Sequence, residues 1–243
     1  MTISSALFAQ STFFLDFEKD DQGNTLTAGI ADITINEPYR NFFSAGVGVR
    51  LSTNDPSNFP LNIYDTEGST LQDDDLERNS TGTGMWEGGN DLNLVVGNAL
   101  IVNRDTTITT PNDSGLGGDI ILNFDISLSQ FGFDFIDLDR AANGRITFTD
   151  TASGAVQTIE FIEFETGGAF ERTGVSFGDR HANQVLNITA ADIGLTSFDE
   201  VKFSLDSSGG IGTIYATTIP EPSGSLLSLV GFTALVLGGR KRS

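Results

Sequence analysis

The sequence predicts an all-β chain, a β-sandwich of jelly-roll type, followed by a single C-terminal transmembrane helix. Three observations carry this. Short runs alternate apolar and polar residues with period two, as in Phe13-Phe14-Leu15-Asp16-Phe17-Glu18. Nineteen Phe and twenty-eight Gly in 243 residues describe short, aromatic-packed strands joined by tight turns. Finally, residues 224–239 carry no charge in a chain whose net charge is −20.

In order along the chain, the first strand buries Phe13, Leu15 and Phe17 and ends in the turn Asp20-Asp21-Gln22-Gly23-Asn24. Strands follow at 47–52 and 61–65. The passage 65–92 is too acidic and glycine-rich for a regular element, and a long loop of this kind is usually functional or flexible. Strands resume at 98–103, 119–124 and 130–135. Asn143-Gly144 predicts a tight hairpin into 145–149, because both residues tolerate positive φ. Further strands are expected at 155–164, 174–177, 184–188, 197–205 and 212–216, with one helical turn at 190–193. Such a series of short strands with regular turn signals is the pattern of a sandwich or barrel.

Charge and composition exclude several functions. Three of the thirteen basic residues and one of the thirty-three acidic ones lie beyond residue 218, so the rest of the chain is still more acidic than the whole. A surface of that sign repels nucleic acid and anionic membranes, and no nucleic-acid partner is expected. Hard divalent cations suit its carboxylates better, which makes Ca²⁺ the expected cofactor if there is one. With no cysteine, disulfides and thiolate chemistry are both absent.

The candidate metal ligands are Asp16, Glu18, Asp65, Asp73, Asp75, Asp137 and Asp139. Asp65 and Asp73-Asp74-Asp75 repel one another, and a Ca²⁺ ion shared with Asp16 or Glu18 would order the loop. A plainly solvated acidic loop is the other reading. Asp137 and Asp139 continue the face of Phe131, Phe133 and Phe135 and place two carboxylates at a sandwich rim. His181 is the one histidine and reads as a surface residue, leaving little for a zinc site or a serine-histidine triad. Glu160, Glu163, Glu165 and Glu171 supply carboxylates for glycoside hydrolysis, but acids are too common here to single out a pair, and no enzyme is expected. Trp86, in Gly84-Met85-Trp86-Glu87-Gly88-Gly89, is the candidate carbohydrate platform, with Tyr39, Phe42, Phe43, Phe59 and Tyr64 as further aromatics. The alternative is that these rings pack over the sandwich edge.

The C-terminal segment is the most specific signal. Leu226, Leu227, Leu229, Val230, Phe232, Leu235, Val236 and Leu237 make 224–239 apolar on all sides. At about 1.5 Å per residue it reaches roughly 24 Å, a short span unless the helix begins at Pro222. Arg240, Lys241 and Arg242 then act as a membrane stop on the cytoplasmic side. The order Pro220-Glu221-Pro222-Ser223, apolar helix, basic end resembles the PEP-CTERM sorting signal of exported bacterial proteins. That resemblance implies a transmembrane exosortase partner that recognises the motif, removes the tail and releases the protein to the cell surface, in bacteria that make exopolysaccharide.

Three parts are therefore expected. Residues 1–11 read as the remnant of a signal peptide, with cleavage near Ala9 and the true start upstream. Residues 12–218 form the extracytoplasmic sandwich, and 219–243 the sorting segment, held in the inner membrane through 224–239. The string Leu15-Asp16-Phe17-Glu18, Ile63-Tyr64-Asp65-Thr66, Asp73-Asp74-Asp75-Leu76, Gly97-Asn98-Ala99-Leu100-Ile101 and Phe135-Ile136-Asp137-Leu138-Asp139 also resembles a group of PEP-CTERM proteins with lectin-like sandwiches. It departs from them where Gly212-Thr213-Ile214-Tyr215 replaces an Asp-Asn pair in the last strand. The expected function is a non-catalytic exported surface or matrix protein associated with exopolysaccharide. A calcium-dependent carbohydrate-binding module and a glycoside hydrolase are the alternatives.

Overall fold

The structure, a computed structural model, describes residues 10–19, 25–26, 38–40, 48–53, 59–68, 73–78, 86–107, 109–139 and 143–219. Residues 1–9 of the expected signal remnant 1–11, the turn 20–24, Phe42, Phe43 and residues 220–243 of the expected sorting segment 219–243 lie outside them. The strands are β1 (Thr12–Leu15), β2 (Pro38–Arg40), β3 (Gly48–Ser52), β4 (Leu61–Asp65), β5 (Asn98–Val102), β6 (Gly118–Ile136), β7 (Arg145–Asp150), β8 (Ala155–Glu160), β9 (Ala182–Thr189), β10 (Phe198–Leu205) and β11 (Gly210–Thr218). All pairings between them are antiparallel, so the chain is all-β as expected. Among the described residues no helix is long and apolar enough to cross a membrane.

The organising element is β6. Where the alternation predicts two strands, 119–124 and 130–135, there is one of 19 residues. Its first half pairs with β3 on one side and β10 on the other, Leu122 lying opposite both Leu51 and Val201. Its second half pairs with β11 and β9, Phe133 lying opposite both Ile214 and Val185. The partners change across a register shift near Leu128. One strand therefore serves two sets of neighbours, with β10-β7-β8 on one side and β11-β5-β4 on the other.

Side chains from both sets meet in one core. Phe133 touches Phe203 of β10 edge-on at 4.9 Å, Phe131 meets Phe148 of β7 at 5.9 Å, and Phe135 stacks on Phe177 at 5.4 Å. Such pairs add about 0.5–1.5 kcal/mol each beyond the area they bury. Truncating Phe133, which is fully buried, to alanine leaves a cavity costing about 3–5 kcal/mol. The alternation in β1 works as expected, with Phe13 and Leu15 buried and Phe14 turned outward.

Three local expectations fail for physical reasons. Asn143-Gly144 is not a hairpin turn: β7 pairs with β10 and β8, and β10 lies between it and β6. Gly144 serves packing instead, since a Cβ there would lie 2.6 Å from the Phe161 ring. The tight turn comes after β7, where Gly154 takes φ +74 before β8. The run 155–164 breaks at Glu160 into a 3₁₀ turn, Phe161–Phe164, whose first and last residues face the core at its three-residue period. Residues 174–177 form no strand. Their backbone is held by a side chain: Asn183 Oδ1 accepts from Ser176 N at 3.2 Å while its Nδ2 donates to Ser176 O at 2.9 Å.

Candidate functional site

At one end of β6 the strand stops at Ile136 and the chain turns sharply at Asp137, whose φ is +55. Aspartate tolerates this left-handed backbone better than a branched residue would. Its N–H donates to His181 O at 2.8 Å, and its Oδ1 accepts from the N–H of Arg180 at 2.7 Å. The side chain is fully buried, yet no described donor reaches Oδ2. A buried carboxylate oxygen without a partner is costly, on the order of several kcal/mol when charged.

Other carboxylates, not donors, surround it. One oxygen each from Asp137, Asp139 and Asp179 lies within 4.8 Å of the others, close enough to share one metal ion. Asp113 sits beside them, its Oδ2 accepting from Gly209 N, while its own N–H donates to Asp73 Oδ2 at 3.2 Å. Asp75 completes the group, and its Oδ1 is also buried without a partner. Burial, joined by the charges of Asp75, Asp113 and Asp139, pushes the Asp137 carboxyl up to about 9. Burial is likewise the largest cause of the upward shifts of Asp73, Asp113 and Asp139, with repulsion from neighbouring aspartates in each case.

Six aspartates from four loops thus converge on one rim. Of these the sequence singled out Asp73, Asp75, Asp137 and Asp139. Asp113 and Asp179 escaped notice because neither has another acid within a few residues of it in sequence. The loop carrying Asp73 and Asp75 is fastened there by Arg180, whose Nη1 donates to Asp74 O at 2.6 Å and Glu77 O at 2.9 Å. Tyr64 holds the same loop from below, donating its OH to Asp73 O at 2.8 Å and Glu77 Oε1 at 3.0 Å.

The remaining expected ligands stand elsewhere. Asp16, Glu18 and Asp65 form a second group near the start of β5. Glu18 Oε1 accepts from Asn98 N at 2.9 Å, Asp16 Oδ1 from Glu18 N at 3.1 Å, and Asp65 Oδ1 from Glu67 N at 3.0 Å. Burial, then the charges of Asp16 and Asp65, raise Glu18, against the pull of the Asn98 N–H. Asp16 and Glu18 line an open groove of about 400 Å³ with Phe14, Val95, Val96, Gly97, Thr213 and Tyr215. Phe14 and Tyr215 are cross-strand partners between β1 and β11, and Phe14 is 43% exposed. Behind the groove, Tyr215 OH donates to Asp134 Oδ2 at 3.0 Å and Gln184 Nε2 to Asp134 Oδ1 at 3.0 Å. Burial pushes Asp134 up to about 6 and Tyr215 up to about 12.

Trp86 does not face solvent as the glycine-rich loop suggests. It is 3% exposed, packs with Tyr64, Leu76 and Val96, and donates Nε1 to Leu94 O at 2.9 Å. That one hydrogen bond removes the reason for an indole to stay at the surface. Tyr64 is buried too, and Phe59 packs half-buried on the core, so neither offers a stacking face. His181 is half-buried instead of exposed, its ring lying over Gly88, where a Cβ would come within 2.2 Å, and its Nδ1 meeting Ser176 Oγ at 3.1 Å. Of the four glutamates, Glu163 lies on the 3₁₀ turn, Glu160 and Glu165 flank it, and Glu171 Oε2 accepts from Gly167 N at 3.0 Å. No protein-family model and no curated protein matches the sequence.

Proposed function

We propose that the chain is an exported, non-catalytic surface or matrix protein, a lectin-like jelly-roll sandwich delivered by its C-terminal segment. An exosortase recognises Pro220, Glu221, Pro222 and Ser223. Residues 224–239 hold the inner membrane until processing, and Arg240, Lys241 and Arg242 stop the chain on the cytoplasmic side. The freed sandwich then joins the exopolysaccharide outside the cell.

The observation that supports this best is where the last described strand finishes. β11 ends at Thr218, and the N–H of Ile219 donates to Ser127 O at 3.1 Å, one residue before the motif begins. The described core draws on residues from Phe13 to Ala216. Cutting beyond Ile219 therefore removes none of the described core residues. Deleting Pro220–Pro222 is expected to leave full-length protein in the inner membrane, read by fractionation and mass of the mature chain. Normal processing of that deletion overturns the sorting reading.

A second reading, a calcium-dependent carbohydrate-binding module, is favoured by the groove beside Phe14 and Tyr215. An aromatic face stacks on the apolar side of a sugar ring, and the carboxylates of Asp16 and Glu18 accept from its hydroxyls. A glycan array probed with and without calcium tests it. Retention lost on Phe14→Ala supports this reading, and retention that is unchanged overturns the groove as the site.

A further inference from the structure

From the carboxylates gathered at the end of β6 we infer a calcium-binding centre, with Asp137, Asp139 and Asp179 as ligands and Asp75 and Asp113 as the acidic wall beside them. It rests on neither reading of function above.

Proximity of acids alone does not make a site, since exposed aspartates often sit together in water. Asp137 provides the independent reason. Its side chain has no exposure, its Oδ1 is held by the Arg180 N–H, and its Oδ2 has no donor. A folded chain rarely leaves such an oxygen bare. Asp139 and Asp179 each bring a carboxylate oxygen within 4.8 Å of one of the Asp137 oxygens, and both are exposed, which leaves an entry path. A cation between the three gives the buried carboxylate a partner and cancels the repulsion in one step.

The identity follows from the donors. The three ligands offer oxygen only, and the chain has no cysteine. His181, the one imidazole, lies over Gly88 with Nδ1 against Ser176 Oγ. Oxygen-only sites suit hard cations. Three carboxylates from two loops, with Asp139 already accepting from Ser208 Oγ at 2.8 Å, give an irregular and adjustable cage. Ca²⁺ accepts six to eight oxygens in such variable geometry, about 2.3–2.6 Å away, whereas Mg²⁺ demands a near-ideal octahedron and keeps its waters. The ion would join three connections: the loop after β6, the loop before β9, and, through Asp139 and Ser208, the turn between β10 and β11.

The test uses the full chain in a mild non-ionic detergent, stripped of metal with chelator and dialysed. Calcium is titrated by calorimetry, with Mg²⁺ in parallel and thermal unfolding followed alongside. The expected result is one Ca²⁺ bound with a Kd of about 10⁻⁴ to 10⁻³ M and a midpoint that rises with calcium. Asp139→Asn with Asp179→Asn changes two exposed side chains and is expected to keep the fold while weakening binding at least about tenfold. Asp137→Asn, the buried ligand, is expected to abolish the calcium-dependent rise in midpoint. Asp16→Asn with Glu18→Gln is expected to leave calcium binding unchanged. No binding by the unaltered chain up to about 10 mM, a magnitude well above that range, overturns the inference. So does full affinity in the Asp139/Asp179 variant, loss of affinity in the Asp16/Glu18 variant, or a Mg²⁺ response equal to that for Ca²⁺.

Discussion

Two groups of carboxylates that look alike in sequence meet opposite fates in the fold. At the rim, Asp137 is buried among Asp75, Asp113 and Asp139, and one of its oxygens has no donor. At the groove, Glu18, Asp16 and Asp65 each accept a backbone N–H, from Asn98, Glu18 and Glu67 respectively. Backbone amides stabilise a carboxylate without any ion. A carboxylate therefore calls for a cation when one of its oxygens is buried without a donor, as Asp137 Oδ2 is even though Oδ1 has one, and spacing in the sequence says little about which case applies.

Substitutions can break this contrast. The largest effect is expected from Asp137→Asn in chelator. Asparagine keeps the acceptor for the Arg180 N–H and turns the orphan oxygen into a donor facing carboxylates, so the variant should melt up to about 8 °C above the unaltered chain. A lower midpoint would mean that the rim needs the charge even without metal. At the groove the sign reverses. Glu18→Ala leaves the buried Asn98 N–H without its acceptor and should lower the midpoint by about 2–6 °C, with or without calcium.

A third comparison uses pH and lies behind the groove. The Asp134 carboxyl titrates at about 6 in the fold, against an ordinary 3.8. Between these values the folded chain holds a proton that the unfolded chain has released, so the contribution of Asp134 is full below 3.8 and is lost as pH rises through 6. Asp134→Asn removes that dependence. Its deficit relative to the unaltered chain should be greatest at about pH 4 and shrink towards pH 7, read as the difference between two melting curves. A deficit constant with pH would assign the titration elsewhere. The smallest stability effect is expected from Phe14→Ala, within about 0.5 kcal/mol because the ring is largely outside the core. Any glycan retention seen for the chain should nonetheless fall with it.

Much of the strand inventory was legible. Alternation placed β1, β4, β5, β7, β10 and β11 to within a few residues, because a strand with one buried face writes its period into its own side chains. What misled was partnership. Asn143-Gly144 has the residues of a tight turn, but whether its flanking strands pair depends on β10, some sixty residues later. The joining of 119–124 to 130–135 was hidden for a related reason: Asp125 and Ser127 interrupt the apolar run, yet the strand continues through them, with β3 paired before that point and β11 and β9 after it. Trp86 shows the same limit for burial. Gly84, Gly88 and Gly89 mark an irregular backbone, and only the carbonyl of Leu94 decides that the indole can go inside.

The sequence alone determined the all-β class, the acidic character and the resemblance of the last residues to a sorting signal, since these rest on period, composition and contiguous order. Which aspartates meet was decided only by tertiary structure. Asp113 and Asp179 reach Asp137 because β6 carries different partners on its two halves and brings the loops of distant strands to one end. Electrostatic repulsion and missing hydrogen bonds depend on distance in space, and no local pattern of residues encodes that distance.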